Sequence, residues 1–166
     1  EINPILHTKL TWVKKDELWG LFDEEKGRLL CKPQFTMATT MSQNASLVKV
    51  GNFFGVVNHV NCTYLITPEI SKVKKVAPHI IVFKQNEKWG LFNEYGILRL
   101  NPEFDSLFMK FPETVVGIKN QKFGLYDLAG KETLPVVYDQ FGSISEGLFS
   151  IQQNSKYGYA TRQGKI

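Results

Sequence analysis

The stretch NEKWGLFNEYG, Asn86–Gly96, decides the fold because close copies of it recur along the chain. DELWGLFDEEKG lies upstream, NQKFGLYDLAG and NSKYGYATRQG lie downstream, and a degenerate copy, GNFFGVVNHVN, fills the remaining place. Each copy has a glycine directly after an aromatic residue, and successive glycines are 35, 35, 34 and 34 residues apart. Such a period is typical of a repeat protein, whose units stack to build a shared core. The five units are centred on Gly20, Gly55, Gly90, Gly124 and Gly158.

Within each unit, short strand-like segments alternate with residues that favour turns. In the fourth unit the β-branched segment TVVGIK, Thr114–Lys119, precedes the turn Asn120–Gln121 and then KFGLYD. Asn, Asp and Gly tolerate positive φ, so these turn positions predict tight hairpins. Gly130 marks the next turn, where the second unit has Asn61, and a third strand ending in proline and a fourth apolar segment follow. Because no window has helical periodicity, we expect antiparallel sheets of three or four strands.

The recurring aromatic–glycine pair has a structural explanation. Side chains alternate across a strand, so the aromatic residue and its second neighbour share one face, which is apolar in every unit. We interpret this face as the core between stacked sheets and the glycine as a point of close backbone approach. The alternative is a row of aromatic platforms for sugars or bases. The signature residues are Trp19, Gly20, Phe54, Gly55, Trp89, Gly90, Phe123, Gly124, Tyr157 and Gly158.

This pattern resembles the WG repeats, also called KWG repeats, that occur mostly in bacterial proteins. KWGLFNEYG and KFGLYDLAGK match that signature best, and the resemblance covers the chain in five copies, of which two keep tryptophan. It implies a repeat module for interaction, often attached to other domains, without shared catalytic residues.

The two ends of the chain continue the same pattern. Joined as GKIEINP, they place Pro4 six positions after Gly164, the spacing that separates Gly27 from Pro33. We therefore expect residues 1–166 to form a single domain, a closed five-bladed propeller-like ring whose N-terminal segment completes the last unit. The alternative is an open, twisted β-solenoid.

The composition indicates a folded chain without a membrane span. The 166 residues are 43% hydrophobic and 22% charged, with a net charge of +4. No apolar run approaches the length of a membrane helix, and the first residues lack the features of a signal peptide. The chain begins without Met, so we expect a processed product, an excised domain or a shortened chain, and the compartment stays unknown.

Chemistry-bearing residues are few and scattered. Cys31 and Cys62 occupy non-equivalent places, so we expect free thiols, which favours a reducing compartment. His7, His59 and His79 have no partner at ligand-like spacing, and we interpret them as surface or turn residues. No catalytic motif is present. The sequence therefore predicts a non-enzyme with no catalytic, cofactor-binding or metal-binding residues.

Three irregular segments are the candidates for partner recognition: Thr36–Asn44, Ser71–Ile80 and Phe108–Thr114. Each lies between a proline and the next unit's first strand, so we expect them to cluster on one side and carry specificity. We predict a binding or scaffold module for a protein partner, with a glycan-binding module that uses the repeat aromatics as the alternative. Nucleic-acid binding is less favoured because the positive charge is modest. The candidate contact residues are Lys72, Lys74, Lys75, His79, Phe108, Met109 and Phe111.

Overall fold

The computed structural model of the protein describes residues 1–77 and 79–166, with side chains described for 1–74 and 79–166. These residues form strands and no helix, so none of them belongs to a helix that could cross a membrane. In chain order, the strands of the described part are β1 (Ile2–Pro4), β2 (Leu10–Lys15), β3 (Leu18–Asp23), β4 (Arg28–Phe35), β5 (Met37–Thr40), β6 (Ala45–Val50), β7 (Phe53–Asn58), β8 (Tyr64–Ile70), β9 (Lys72–Ala77), β10 (Ile80–Gln85), β11 (Lys88–Asn93), β12 (Leu98–Phe104), β13 (Ser106–Met109), β14 (Thr114–Lys119), β15 (Lys122–Asp127), β16 (Glu132–Tyr138), β17 (Gln140–Ser145), β18 (Leu148–Gln153) and β19 (Lys156–Thr161).

The strands form five sheets, one for each sequence repeat, in the described part of the chain. Each sheet is a meander, since strands that are neighbours in the sheet are neighbours in sequence. The first four sheets have four strands each, β1–β4, β5–β8, β9–β12 and β13–β16, and the last, β17–β19, has three. A four-stranded sheet of this kind is the blade of a β-propeller. The predicted all-β repeat fold is confirmed.

Tight hairpins connect the second and third strands of the sheets. Four of these turns have positive φ at both central residues, as type I′ turns require. In the fourth sheet the turn Asn120–Gln121 is flanked by the pair Lys119↔Lys122. The four turns are Asp16–Glu17, Asn86–Glu87, Asn120–Gln121 and Asn154–Ser155, with φ between 48° and 64°.

In the four-stranded sheets, the glycine after the repeat aromatic lies where the fourth strand of the sheet comes close. A Cβ atom on Gly20 would lie 2.7 Å from the carbonyl oxygen of Cys31, and one on Gly55 would lie 2.8 Å from that of Ile66. Both oxygens belong to fourth strands, β4 and β8. Backbone crowding therefore excludes any side chain at this position.

The chain divides into two compact units, Glu1–Val73 with Phe92–Leu98 and Lys74–Leu91 with Arg99–Ile166. Each unit has apolar cores built from the inward faces of its strands. The core of the first unit contains Ile5, Trp12, Leu21, Cys31, Phe35, Ala38, Val48 and Val57. The second unit has one cluster that includes Val116, Leu125, Phe141 and Phe149, and another that includes Val82, Leu91, Phe104 and Tyr126.

The N-terminal segment pairs within the first sheet. Ile2 lies opposite Val13, and Pro4 lies opposite Thr11, so β1 is the first strand of that sheet. The expectation that this segment completes the last sheet is therefore wrong. Five residues connect β1 to β2, and closing so short a loop costs little chain entropy. The closed ring and the open array both remain predictions.

The turn before β8 differs from the sequence expectation. Its left-handed residue is Cys62, with φ 59°, rather than Asn61. The Oδ1 atom of Asn61 instead accepts hydrogen bonds from the amide and the hydroxyl of Thr63, at 3.2 and 2.7 Å. Asn61 therefore stabilises the turn through its side chain while Cys62 adopts the strained backbone conformation.

A disulfide bond links Cys31 to Cys62, with 5.4 Å between the two Cα atoms. The prediction of two free thiols is wrong. Cys31 lies on β4 and Cys62 lies in the turn before β8, 31 positions later. The packing of the first unit brings them within bonding distance. Because the cysteines occupy different places in their repeats, the repeat pattern does not reveal this pairing.

Candidate functional site

A groove of about 730 Å3 lies in the first unit. One wall is the segment Asn3–His7, and the other consists of Thr39, Thr40, Ser42 and Gln43. We call this surface the Leu6 groove, because Leu6 is 77% exposed. The second wall belongs to Thr36–Asn44, one of the irregular segments predicted to carry specificity.

Backbone hydrogen bonds hold both walls of the Leu6 groove. The amide of Ile5 donates to the carbonyl of Leu10 at 2.9 Å, and the side chain of Ile5 is buried in the core. On the other wall the amides of Met41 and Ser42 both donate to the carbonyl of Ala45, at 3.0 and 3.1 Å. Leu6 therefore follows the anchored residue Ile5 on one wall, and it faces a second wall whose backbone is also held by hydrogen bonds.

A series of buried hydrogen bonds connects the second wall to the core. The Nδ1–H of His59 donates to the carbonyl of Gln43 at 2.9 Å. Its Nε2 atom accepts from the hydroxyl of Ser46 at 2.9 Å, and that hydroxyl accepts from the indole N–H of Trp12 at 3.1 Å. This arrangement pairs every nitrogen of a neutral imidazole and fixes the position of Gln43.

His59 lies in the turn after β7, but it is only 1% exposed, so the interpretation of this histidine as a surface residue is wrong. Burial lowers its pKa, and the hydrogen bond to Gln43 opposes this shift. Ser46 is also fully buried. The Ser46–His59 pair is thus enclosed in the core, where it serves as a packing element.

A smaller concave surface of about 290 Å3 lies in the second unit. Its lining includes Pro112, Glu113 and Thr114 from the third irregular segment, together with Arg162. Arg162 donates from Nη1 to the carbonyl of Pro112 at 3.3 Å. Charges of both signs line this surface, so it has no single electrostatic preference.

The candidate contact residues predicted from sequence have different environments. Lys72, Lys74 and His79 are exposed, and the side chain of Lys75 lies outside the described residues. Phe111 is buried, with its ring 4.5 Å from that of Phe149.

The hydrophobic part of this predicted contact is therefore corrected. Phe111 belongs to the core because the turn after β13 directs it toward β18 rather than toward solvent. Phe108 and Met109 are partly buried and pack against core clusters of the second unit.

The repeat aromatics are poor candidates for a sugar platform in the first three sheets. Trp19, Phe54 and Trp89 are half-buried, and a lysine of the neighbouring strand covers each ring. Such cation–π contacts occupy the face on which a sugar would stack. The ring centroids lie 5.8 Å from Lys14 Nζ, 5.3 Å from Lys49 Nζ and 6.0 Å from Lys84 Nζ, respectively.

Within the residues that the structure describes, no group of three or more His, Cys, Asp or Glu side chains is placed to hold a metal ion.

The family of WG-containing repeats matches two segments of the chain, residues 19–52 and 123–157. The resemblance inferred from sequence is confirmed at these two segments. Comparison with curated protein sequences gives no match.

Solved structures that resemble this chain in fold have very different sequences. Hsv2p of Kluyveromyces lactis is 11% identical with a TM-score of 0.41, and the match covers 97% of this chain and 61% of that one. Hsv2 of Kluyveromyces marxianus is 9% identical with a TM-score of 0.42, and the match covers 97% of this chain and 59% of that one. The chain therefore spans about three fifths of the length of these structures.

Proposed function

We propose that the chain is a non-enzymatic binding module that engages a protein partner through the Leu6 groove. The observation that carries this proposal is the pairing of an exposed apolar side chain, Leu6, with a rigid wall of small polar residues. An apolar centre with a polar rim is the usual anatomy of a protein–protein interface. Since both walls are fixed before binding, little conformational entropy is lost on association.

The alternatives have less support. Lysine side chains already cover the aromatic rings of the first three sheets, which argues against a row of sugar-binding platforms. The lining of the Leu6 groove has one titratable side chain, His7, and no lysine or arginine within the described residues. It therefore offers little attraction to phosphate. The enclosed position of Ser46 and His59 likewise supports a binding role over catalysis.

The test is affinity capture with matched variants. The immobilised protein is incubated with nuclease-treated lysate of the source cells, and bound proteins are identified by mass spectrometry. Leu6→Asp places a charge at the centre of the groove. Val60→Asp is the matched control, because Val60 is a similarly exposed loop residue, 73% exposed.

The proposal predicts a stoichiometric protein that binds the wild type and the Val60→Asp variant and is lost with Leu6→Asp. Truncating an interface centre typically costs about 2 kcal/mol or more, which is roughly a thirtyfold loss of affinity. Equal capture by both variants would rule out the groove. Recovery of nucleic acid alone, with steep loss between about 50 and 200 mM salt, would favour the nucleic-acid alternative.

A further inference from the structure

The turn that follows β7, residues 59–62, holds one wall of the Leu6 groove, and we call it the His59 turn. The backbone amide of His59 donates to the carbonyl of Asn44 at 2.9 Å, and its Nδ1–H donates to the carbonyl of Gln43 at 2.9 Å. Gln43 lines the groove. At the other end of the same turn, Cys62 forms the disulfide with β4. The His59 turn therefore connects the second wall of the groove to the first sheet.

The disulfide is the bonded attachment of this turn to the first sheet. Within the described part of the chain, the hydrogen bonds of the last three turn residues run to positions at the two ends of the turn. Those of Val60, Asn61 and Cys62 join them to Asn58 and Thr63. These hydrogen bonds shape the turn but reach no residue of the first sheet. Movement of Cys62 away from β4 is therefore opposed by the disulfide rather than by hydrogen bonds.

Cys62 occupies a position that is glycine in the equivalent turns of the third and fourth sheets. Its amide donates to the carbonyl of the last residue of β7, as the amides of Gly96 and Gly130 donate to the last residues of β11 and β15. These glycines lie against the fourth strand of the preceding sheet. A Cβ atom on Gly96 would lie 3.0 Å from Leu65, and one on Gly130 would lie 2.1 Å from the carbonyl oxygen of Arg99. Cys62 has the same left-handed conformation, with φ 59°, but carries a side chain at this contact. A covalent bond to β4 thus replaces the close packing that glycine permits in these two turns.

We propose that the Cys31–Cys62 disulfide is a redox switch for the Leu6 groove, and that its reduction by a dithiol releases the wall at Gln43 and Asn44. The effect on partner binding rests on the function proposed above. The movement of the wall does not, so the two proposals can fail separately.

The exposure of the two cysteines sets the order of the reaction. Cys62 is partly exposed, whereas Cys31 is 1% exposed, so a thiolate of the dithiol attacks the sulfur of Cys62. A bond forms between these two sulfur atoms, the bond between the cysteines breaks, and Cys31 leaves as a thiolate that takes up a proton. The second thiol of the reductant then attacks the mixed disulfide, which frees Cys62 as a thiol and leaves the reductant as a disulfide. Two electrons and two protons thus pass from the dithiol to the protein.

Reduction moves the His59 turn away from β4 for two physical reasons. Two thiols need more room than a disulfide, and in the packed core around Cys31 this overpacking is unfavourable. Cys62 is also strained at positive φ, and such a conformation persists only where the surrounding structure holds it. Opening the bond removes that constraint, so the turn relaxes outward.

The movement takes His59 away from Ser46 and from the wall of the groove. The indole N–H of Trp12, which donates to the hydroxyl of Ser46 at 3.1 Å, belongs to the same series of hydrogen bonds and therefore reports the change. The wall loses its support at Gln43, and the Leu6 groove loses its fixed shape. A partner must then order the wall as it binds, which weakens association.

The first measurement is reduction of the folded protein. The whole protein is incubated with dithiothreitol without denaturant, quenched with acid and alkylated in urea, and the labelled peptides are identified by mass spectrometry. We expect both cysteines to be labelled, while circular dichroism recorded before the quench remains that of the folded sheets. A disulfide that opens only in denaturant would overturn the proposal, since resistance to reduction is typical of a structural disulfide.

The second measurement is hydrogen exchange by NMR, in the oxidised and the reduced protein under the same native conditions. Reduction should speed exchange of the His59 amide and the Trp12 indole N–H about tenfold or more, because both lose their partners in the released state. The amide of Ile5, which donates to Leu10 on the first wall, should change less than about twofold. The amide of Gly130, in an equivalent turn without cysteine, should not change. Equal acceleration at Ile5 and His59 would overturn the proposal, because the whole unit would then open.

The matched variant is Cys31→Ser/Cys62→Ser, which keeps two side chains of about thiol size that cannot bond to each other. Its His59 amide should exchange as fast as in the reduced wild type, and dithiothreitol should leave that rate unchanged. Slow exchange in this variant would overturn the proposal, since loss of the bond would then not release the wall. The reduced wild type makes the same comparison without a substitution, and reoxidation should restore its slow exchange.

The consequence for binding has its own readout. If the capture experiment recovers a protein that Leu6→Asp loses, its affinity should fall about tenfold or more when the disulfide is reduced. Equal affinity in both redox states would overturn the switch and leave the groove as a binding site. Failure to capture a protein would instead count against the proposed function, while faster exchange at His59 would still support release of the wall.

Discussion

Opening the Cys31–Cys62 disulfide should destabilise the protein by about 3.5–4 kcal/mol. The bond joins residues 31 positions apart, and a loop of that length restricts the unfolded chain. The chain-entropy treatment gives an entropy loss of about 12 cal/mol/K for such a loop, which is about 3.7 kcal/mol at 25 °C. This is a large part of the 5–15 kcal/mol that is typical of a whole folded domain.

The backbone at Cys62 gives the prediction a second, separable part. With φ 59° at Cys62, a non-glycine residue is strained by about 1 kcal/mol relative to glycine. The double variant Cys31→Ala/Cys62→Ala keeps this strain and loses the tether. Cys31→Ala/Cys62→Gly loses the tether and relieves the strain, so it should be about 1 kcal/mol more stable than the Ala/Ala variant.

The assay is urea denaturation followed by tryptophan fluorescence, since the buried Trp12 lies in the same unit as the disulfide. We expect the reduced protein and both double variants to unfold at lower urea concentration. Their m-values should be larger, because the untethered chain exposes more surface on unfolding. Two thiols that react with Ellman's reagent in the native, unreduced protein would refute the disulfide. So would a denaturation midpoint that reduction leaves unchanged.

Two further predictions concern a buried histidine and a crowded glycine. Burial lowers the pKa of His59 below its ordinary value of 6.5, so below about pH 6.5 the unfolded state binds more protons than the folded state. Stability should therefore fall as the pH drops from 6.5 toward the lowered pKa. When urea midpoints are measured from pH 7.5 to 5.0, His59→Gln should reduce their dependence on pH, whereas the control His7→Gln should leave that dependence unchanged. An unchanged pH dependence in His59→Gln would contradict the attribution to His59. Gly130→Ala should lower the stability measured by thermal unfolding by at least about 2 kcal/mol more than Gly147→Ala does. Both glycines have positive φ, but only a Cβ atom on Gly130 would lie 2.1 Å from the carbonyl oxygen of Arg99. Equal losses at the two glycines would show that the carbonyl moves away.

The candidate site was only partly predictable from sequence. The irregular segment Thr36–Asn44 forms one wall of the Leu6 groove. Its departure from the repeat pattern is the sequence feature that identified it as a candidate. The opposite wall, Asn3–His7, begins in the N-terminal segment Glu1–Pro4, which was expected in the last sheet. Leu6 was not among the predicted contact residues.

The residues that sequence reasoning placed wrongly share a physical feature. Cys31 and Cys62 meet across sheets, His59 meets Ser46 and Trp12 in the core, and Phe111 packs on Phe149 of a later strand. None of these partners is a neighbour in sequence or an equivalent position in another repeat. Their contacts follow from the way the sheets pack, which the repeat pattern alone does not specify.

The sequence by itself determined the number of sheets and the hairpin turns within them. These features depend on local physics: alternation of side chains along a strand, positive φ at Asn and Gly, and a fixed period near 34 residues. Only the tertiary structure decided the pairing of β1 with β2, the disulfide and the hydrogen bonds of His59. Each of these depends on contacts between distant segments, whose free energy is set by packing and by loop closure and leaves no period in the sequence.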